Sequence, residues 1–396
     1  MTNLRWRNLL VAVLLLASAA EFSFRGPLRM VRERRWNDFL PVYIQSKAWV
    51  HGRDPYSSQS LISLWPADNR RPSWVDADAA NGVLELRDGM PSPFPLSCFV
   101  VLSPFALLSW PVAELLWFAG NVAAVVLAPF ALVSLCGCTL ADLRARLFLA
   151  AAFALAPLHT GLGTTNPAVF AICLMVGTVW AARSGRRKTA GILLAIAACL
   201  KPPVAAGLLL FYLVRRQWKV AGVACAVAAM IGALGIARLA IAGVPWLAPY
   251  LENIRRIYAS GSLADFALND AGRFNLINSQ VLWYSLLGNA SVANRLAWLL
   301  GAALLGCWLW FCWRRRSPEV LEISAICVLS LIPVYHRFYD AGLLLWPLAW
   351  SLLLAARRST AALILVVIAP FLVPGAALFA ELARSGRIPP AVMNGW

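Results

Sequence analysis

Apolar runs of membrane-spanning length alternate with short polar interruptions along most of the chain. The first runs from Asn8 to Phe24, broken only by Glu21. A long polar stretch follows, from Arg25 to Met90. A second apolar block, Pro93 to Val133, carries one break at Ser109-Trp110-Pro111. Leu147–Ala156 and Ala168–Ala182 are apolar and flank Pro157–Pro167. Thr189–Leu200 and Val204–Val214 are each too short to cross a bilayer alone, and Lys201-Pro202-Pro203 separates them. They are expected to form a hairpin that enters the membrane and turns at Lys201. Val220–Ala242, Ala293–Trp313, Val320–Pro333, Ala341–Ala356 and Ala361–Leu378 complete the set. The pattern predicts an all-α, polytopic integral membrane protein built as one domain over residues 1–396. Roughly 11 to 13 membrane helices or re-entrant segments are expected, at ~20 residues per full span. The large outer loops are placed at residues 25–92 and 243–292, with interfacial helices in them. Pro93–Leu108 is expected to be re-entrant or tilted.

Composition agrees: 61% of residues are hydrophobic and 13% charged, about half the charge of a soluble chain. That excludes a water-soluble enzyme and a nucleic-acid-binding domain. The net charge of +17 lies largely in knots between apolar runs: Arg5/Arg7, Arg144/Arg146, Arg183–Lys188, Arg215–Lys219, Arg314–Arg316 and Arg357-Arg358. Basic short loops favour the cytoplasm. Arg25–Met90, His159–Asn166, Lys201, Gly243–Gln280 and Tyr335–Asp340 then fall on the outer face. Arg25, Arg29, Arg32, Arg34 and Arg35 run against this rule, but long loops often escape it. Membrane lipids and a phosphate-bearing lipid are the expected partners, and no nucleic acid. Ala17-Ser18-Ala19 resembles a signal-peptidase site; a retained first span is the preferred reading. Nine Cys lie within apolar runs or at the end of one, so no disulfide is expected. The spacing of Cys136 and Cys138 lacks the further ligands a zinc site needs.

Phe39, Val42, Tyr43, Ser46, Trp49 and Val50 follow helical spacing, which predicts an amphipathic helix lying in the interface with Asp38 at its N-terminus. Asp38 suits a helix N-cap, and a capped carboxylate can still serve as a general base. His51, Arg53, Asp54 and Tyr56 converge within six residues and are candidate substrate-binding groups; Asp54-Pro55 is equally a turn signal. Lys201, deep in an apolar hairpin, is costly to bury and suits a phosphate; snorkelling to an interface is its plainer reading. His336 and Asp340 would share a helix face. His336 and Arg337 could hold a lipid phosphate, or the segment is an ordinary charged loop. His159, Asn166, Arg273, Asn275, Asn278 and Gln280 offer hydrogen-bonding groups to a sugar. Asp76-Ala77-Asp78 lies in a loop on the face where no nucleotide sugar is expected.

The order of motifs resembles glycosyltransferase family 87: Asn37-Asp38-Phe39 with Tyr43, Gly52-Arg53-Asp54-Pro55-Tyr56, Pro93-Phe94, Leu200-Lys201-Pro202 with Arg215-Arg216-Gln217-Trp218, Asn278-Ser279-Gln280 and Tyr335–Tyr339. The resemblance implies a GT-C-like architecture and an inverting hexosyltransferase of a bacterial inner membrane, working on the extracytoplasmic side in building the cell envelope. The expected donor is a polyprenyl-phosphate-linked sugar, typically mannose; the acceptor is a glycan or glycolipid. The resemblance makes Asp38 the catalytic base. Lys201, His336 and Arg337 are the expected donor-phosphate ligands. His51, Arg53, Asp54, Tyr56, Asn166, Arg273, Asn278, Tyr339 and Asp340 are the expected substrate-binding residues. No cofactor and no divalent metal are expected, because cations can meet the leaving phosphate. Two other readings fit the same composition: a transporter or lipid flippase, and a glycan ligase using a lipid-pyrophosphate donor.

Overall fold

The computed structural model describes residues 2–33, 38–66, 92–258, 264–266, 276–314, 318–333, 335–355, 357–373, 382 and 385–387. Arg273, Asn275 and Asp76–Asp78 lie outside the described residues. Every regular element among the described residues is helical. In chain order these are α1 (Thr2–Arg25), α2 (Pro27–Glu33), α3 (Phe39–Val50), α4 (Ser58–Ser63), α5 (Leu96–Ala106) and α6 (Trp110–Leu135). Next come α7 (Leu143–Phe153), α8 (Ala156–Gly163), α9 (Pro167–Arg183), α10 (Arg187–Leu200), α11 (Pro202–Val214) and α12 (Trp218–Ile241). The last are α13 (Leu247–Ile257), α14 (Ser279–Leu287), α15 (Ala290–Arg314), α16 (Glu319–Ser330), α17 (Leu345–Ala349) and α18 (Arg358–Ile368). A 310 turn, Phe338–Leu344, leads into α17.

Among the described residues four segments are long and apolar enough to cross a membrane: Trp6–Arg32, Trp110–Leu135, Trp218–Ile241 and Ala290–Arg314, of 24 to 27 residues. At 1.5 Å per residue each exceeds the ~30 Å hydrocarbon core. They expose large apolar side chains, among them Leu16 on α1, Leu115 on α6, Met230 on α12 and Leu299 on α15. Such faces suit lipid. The chain is a polytopic all-α membrane protein, as the hydropathy pattern predicts.

The helices inside this frame are shorter. α9, α10, α11 and α16 have 17, 14, 13 and 12 residues. The feet of three of them are tied by ion pairs. Arg183 at the end of α9 meets Glu319 (2.7 Å), and Arg215 after α11 meets Glu322 (2.6 Å). Glu319 and Glu322 both lie in the first turn of α16, and the Trp308 indole donates to the Glu322 carbonyl (3.0 Å). α10 begins just after Arg183, so both feet of the α10–α11 pair lie at one end and Lys201 at the other. The expected hairpin therefore forms. Its arms splay: α10 packs between α9 and α12, while α11 packs on α16. Gly191 permits the α10–α12 contact, because a Cβ there would lie 2.6 Å from Val223. A 13-residue arm rises only ~20 Å, so Lys201 stops roughly 10 Å short of a full crossing.

Two local expectations change. The segment Pro157–Pro167 is not an open break: Pro157 enters the first turn of α8, a position that needs no N–H. α3 does not present a free amphipathic face. Nine of its twelve residues are buried, because α5 covers it together with the aromatic side chains of α6. The second outer loop contains α13, whose exposed face carries Glu252, Arg255 and Arg256. α5, at 11 residues, is too short to cross alone.

Glu322 is fully buried and pairs with a largely covered Arg215, whereas Arg256 pairs with Glu252 in the open. Removing one partner of a buried pair costs about 3–5 kcal/mol, and an exposed pair contributes under about 1 kcal/mol. Arg215→Ala is expected to lower the thermal unfolding midpoint in detergent by several degrees, and Arg256→Ala to leave it unchanged.

Candidate active site

Asp38 precedes α3 and is held from another part of the chain. Its backbone N–H donates to the Thr164 carbonyl (2.7 Å). The Asn166 Nδ2 donates to Asp38 Oδ2 (2.8 Å), while Asn166 Oδ1 caps α9 by accepting from the Ala168 N–H (2.9 Å). One amide thus serves a helix end and a carboxylate at once. The Thr165 between them has φ of +56°, an outlying conformation for a β-branched residue. The Trp117 indole holds its carbonyl (2.9 Å), so the loop is over-determined there. Phe39, the neighbour of Asp38, stacks on Trp117 (centroids 4.8 Å apart) and on Trp110 (5.9 Å). The capping role expected for Asp38 is not realised. Its backbone is helical (φ −70°, ψ −13°) and its side chain makes no cap hydrogen bond, because the carboxylate turns to Asn166. Burial pushes its pKa above the ordinary aspartate value; hydrogen bonds from Asn166 and Thr164 and the charges of Arg337 and Lys201 oppose the shift.

Lys201 forms the tip of the hairpin. α10 ends there because Pro202 disfavours a helical conformation at the preceding residue, and Lys201 adopts φ −149°, ψ 83°. The residue is 8% exposed. Its ammonium lies 4.0 Å from Asp340 Oδ1 and 5.6 Å from the ring centres of both Phe94 and Tyr339. Two aromatic faces and one carboxylate compensate the buried charge.

His336 and Asp340 do meet, through the 310 turn rather than an α-helix. His336 Nδ1 lies 3.0 Å from Asp340 Oδ2, and Nε2 lies 2.9 Å from the Ser330 carbonyl at the end of α16. Each ring nitrogen thus has one oxygen partner. His336 is fully buried behind Asp340, with neither nitrogen turned to a ligand. Asp340 Oδ2 also accepts from the Arg337 N–H (3.0 Å); Oδ1 is buried without a hydrogen-bond donor and faces Lys201. Arg337 Nε donates to the Tyr335 hydroxyl (2.7 Å). Asp38, Arg337 and Tyr339 keep part of their surface open. The Tyr339 side chain starts close over α8: a Cβ on Gly161 would come within 3.1 Å of the Tyr339 Cβ.

The arrangement brings together Asp38, Asn166, Lys201, Arg337, Tyr339 and Asp340, with His336 behind them. Asn278 stands nearby, since the Ile277 N–H donates to the His336 carbonyl (2.8 Å), but its side chain caps α14 by accepting from the Val281 N–H (3.1 Å). The remaining candidates lie elsewhere. α3 puts about 18 Å of helix between Asp38 and His51. His51 and Arg53 are exposed, Arg53 donating to the Ser63 hydroxyl (3.0 Å). Asp54 Oδ1 accepts from the Tyr56 N–H (2.9 Å), which closes a turn. His159 contacts the Phe153 carbonyl and the edge of Phe22. Phe94 carries no chemistry that its residue type announces, but its position between Pro93 and Pro95 marks a constrained backbone.

A hydrogen bond to the charged form of a carboxylate lowers its pKa. Asn166→Ala removes one, so Asp38 is expected to titrate at higher pH in the variant than in the wild type. Infrared titration of the carboxyl band, with Asp38→Asn as blank, measures the shift.

The family model of glycosyltransferase family 87 matches residues 94–334. The match contains Phe94, Asn166, Lys201 and Asn278. Asp38 and the His336–Asp340 turn flank it, and their place in the site comes from the geometry above. Neither a curated protein nor a solved structure matches the chain. With well over half of the chain covered and a helical membrane fold around the site, the chain belongs to glycosyltransferase family 87 and is a membrane glycosyltransferase, moving a sugar from a donor to an acceptor.

Proposed function

We propose that the protein transfers a hexose, mannose in the first instance, from a polyprenyl-phosphate carrier to a hydroxyl of a glycan or glycolipid, with inversion. The observation that carries this reading is the meeting of a carboxylate and two cations from distant parts of the chain: Asp38, held by Asn166, lies within electrostatic reach of Lys201 and Arg337. Asp38 is the base. It takes the proton of the acceptor hydroxyl as the oxygen attacks the anomeric carbon. The bond from that carbon to the phosphate oxygen breaks, and the phosphate leaves with one more negative charge than it had in the diester. Lys201 and Arg337 are placed to stabilise that charge. Their work is electrostatic, and Arg337 offers a planar donor set suited to phosphate oxygens.

His336 acts one step back in this scheme. It orients Asp340, and Asp340 faces Lys201. Tyr339 and Asn166 border the space for the sugar. The site faces the extracytoplasmic side of a bacterial inner membrane in this reading. Two features support that side: the basic turns Arg183–Lys188 and Arg215–Lys219 lie at the opposite ends of α9, α10 and α11, and short basic loops stay in the cytoplasm.

Membranes supplied with radiolabelled polyprenyl-phosphate mannose and candidate acceptors test the proposal. Asp38→Asn is expected to cut transfer about 10²–10⁴-fold, the usual contribution of a general base, with donor binding retained. A folded Asp38→Asn enzyme with full activity ends the base assignment. Lys201→Ala is expected to weaken donor binding about tenfold, the loss of a charge-assisted contact. Unchanged donor affinity removes Lys201 from the phosphate site.

A further inference from the structure

The turn Gly52-Arg53-Asp54-Pro55-Tyr56 sits at the end of α3 remote from Asp38, yet its hydrogen bonds lead back to Lys201. Gly52 has φ of +65°, and a Cβ there would meet the Arg238 guanidinium at 2.9 Å. Arg238 in turn donates to the Val50 carbonyl (2.8 Å), so α3 and α12 are joined at this turn. Asp54 closes it through the Tyr56 N–H. Two side chains then cross to the segment Ser92–Pro95. The Tyr56 hydroxyl donates to the Phe94 carbonyl (3.0 Å). The Gln45 amide donates to the Pro55 carbonyl (3.1 Å) and accepts from the Ser92 hydroxyl (3.0 Å). That segment belongs to no helix, and Pro93 and Pro95 have no N–H with which to pair. Phe94, between the two prolines, lays its ring against the Lys201 ammonium.

We propose that the Gly52–Tyr56 turn is a strap that positions Lys201: Tyr56 and Gln45 hold the Ser92–Pro95 segment, and Phe94 presses the ammonium towards Tyr339 and Asp340. Tyr56 is then a positioning residue, acting through Phe94, rather than a sugar ligand. The alternative for Tyr56, plain core packing, is anchored by its rings with Phe99 and Tyr250 (5.6 and 5.1 Å). Those contacts survive in Tyr56→Phe, which deletes only the hydroxyl. The kinetic consequence rests on the reading of Lys201 as a phosphate ligand; the geometric consequence does not.

Two measurements on the full-length protein in detergent separate these levels. The first is trace labelling of Lys201 by an amine-reactive anhydride, read by mass spectrometry without substrate. Labelling should be slow in the wild type and rise about threefold to tenfold in Tyr56→Phe, the range for one lost hydrogen bond. Gln45→Leu should act in the same direction and Phe94→Leu more strongly. Tyr56→Phe should add nothing in the Phe94→Leu background, since the strap acts only through that ring. The second is transfer kinetics with polyprenyl-phosphate mannose. Tyr56→Phe should raise the donor KM by a similar factor, with the acceptor KM and the unfolding midpoint near wild type. Unchanged labelling in folded Tyr56→Phe and Phe94→Leu overturns the strap, as does full additivity in the double variant. Raised labelling with an unchanged donor KM upholds the strap and removes the phosphate role from Lys201.

Discussion

An ammonium buried within a membrane protein must find its compensation in the protein. Lys201 cannot leave the tip of its hairpin: Pro202 ends α10 at that residue, α11 is anchored at its opposite end by Arg215, and α10 is packed between α9 and α12. Asp340 supplies a carboxylate at 4.0 Å, and Phe94 and Tyr339 supply two ring faces. The other oxygen of Asp340, Oδ2, is held by the His336 ring and the Arg337 N–H. The partners come from two segments remote from the hairpin. The need to neutralise one cation therefore draws the α10–α11 tip, the Pro93–Pro95 stretch and the 310 turn to one place.

Helix length sets where that place is. The outer helices are long enough to cross lipid, whereas α9, α10, α11 and α16 begin or end at the site after 12 to 17 residues. Ion pairs at the feet of α9, α11 and α16 hold these three in common register. Polar backbone at membrane depth is tolerated where protein surrounds it, and here the Thr164–Asn166 loop pairs with Asp38 and Trp117 and the Lys201 tip with Asp340. Asp38 enters this arrangement from α3, whose burial among Trp110, Trp117 and Phe105 leaves little freedom at its first residue.

Much of this was legible in the order of residues. Hydropathy alone indicates a polytopic helical protein, and the Lys-Pro-Pro step inside an apolar run indicates a hairpin with a cation at its tip. The spacing of His336 and Asp340 foretells their contact, though as a 310 turn. Periodicity misleads at α3, because the pattern of an amphipathic surface helix is also that of a helix buried on several sides by aromatic neighbours. It is silent on α8, since a proline in a helix's first turn looks like a proline in a loop.

Hydrophobic order and helix-breaking residues act locally, so the sequence by itself determined the helical membrane fold, the break at Lys201 and the basic turns at the ends of the short helices. Only the tertiary structure decided which polar groups meet. Asn166 reaches Asp38 across 128 residues of chain, and Tyr56 reaches Lys201 through Phe94. It also decided that His336 stands behind Asp340 with both ring nitrogens engaged, and that His51 and Arg53 face outward. Hydrogen bonds and ion pairs between remote segments depend on how short helices stack, and that stacking is set by packing against neighbours that no local pattern names.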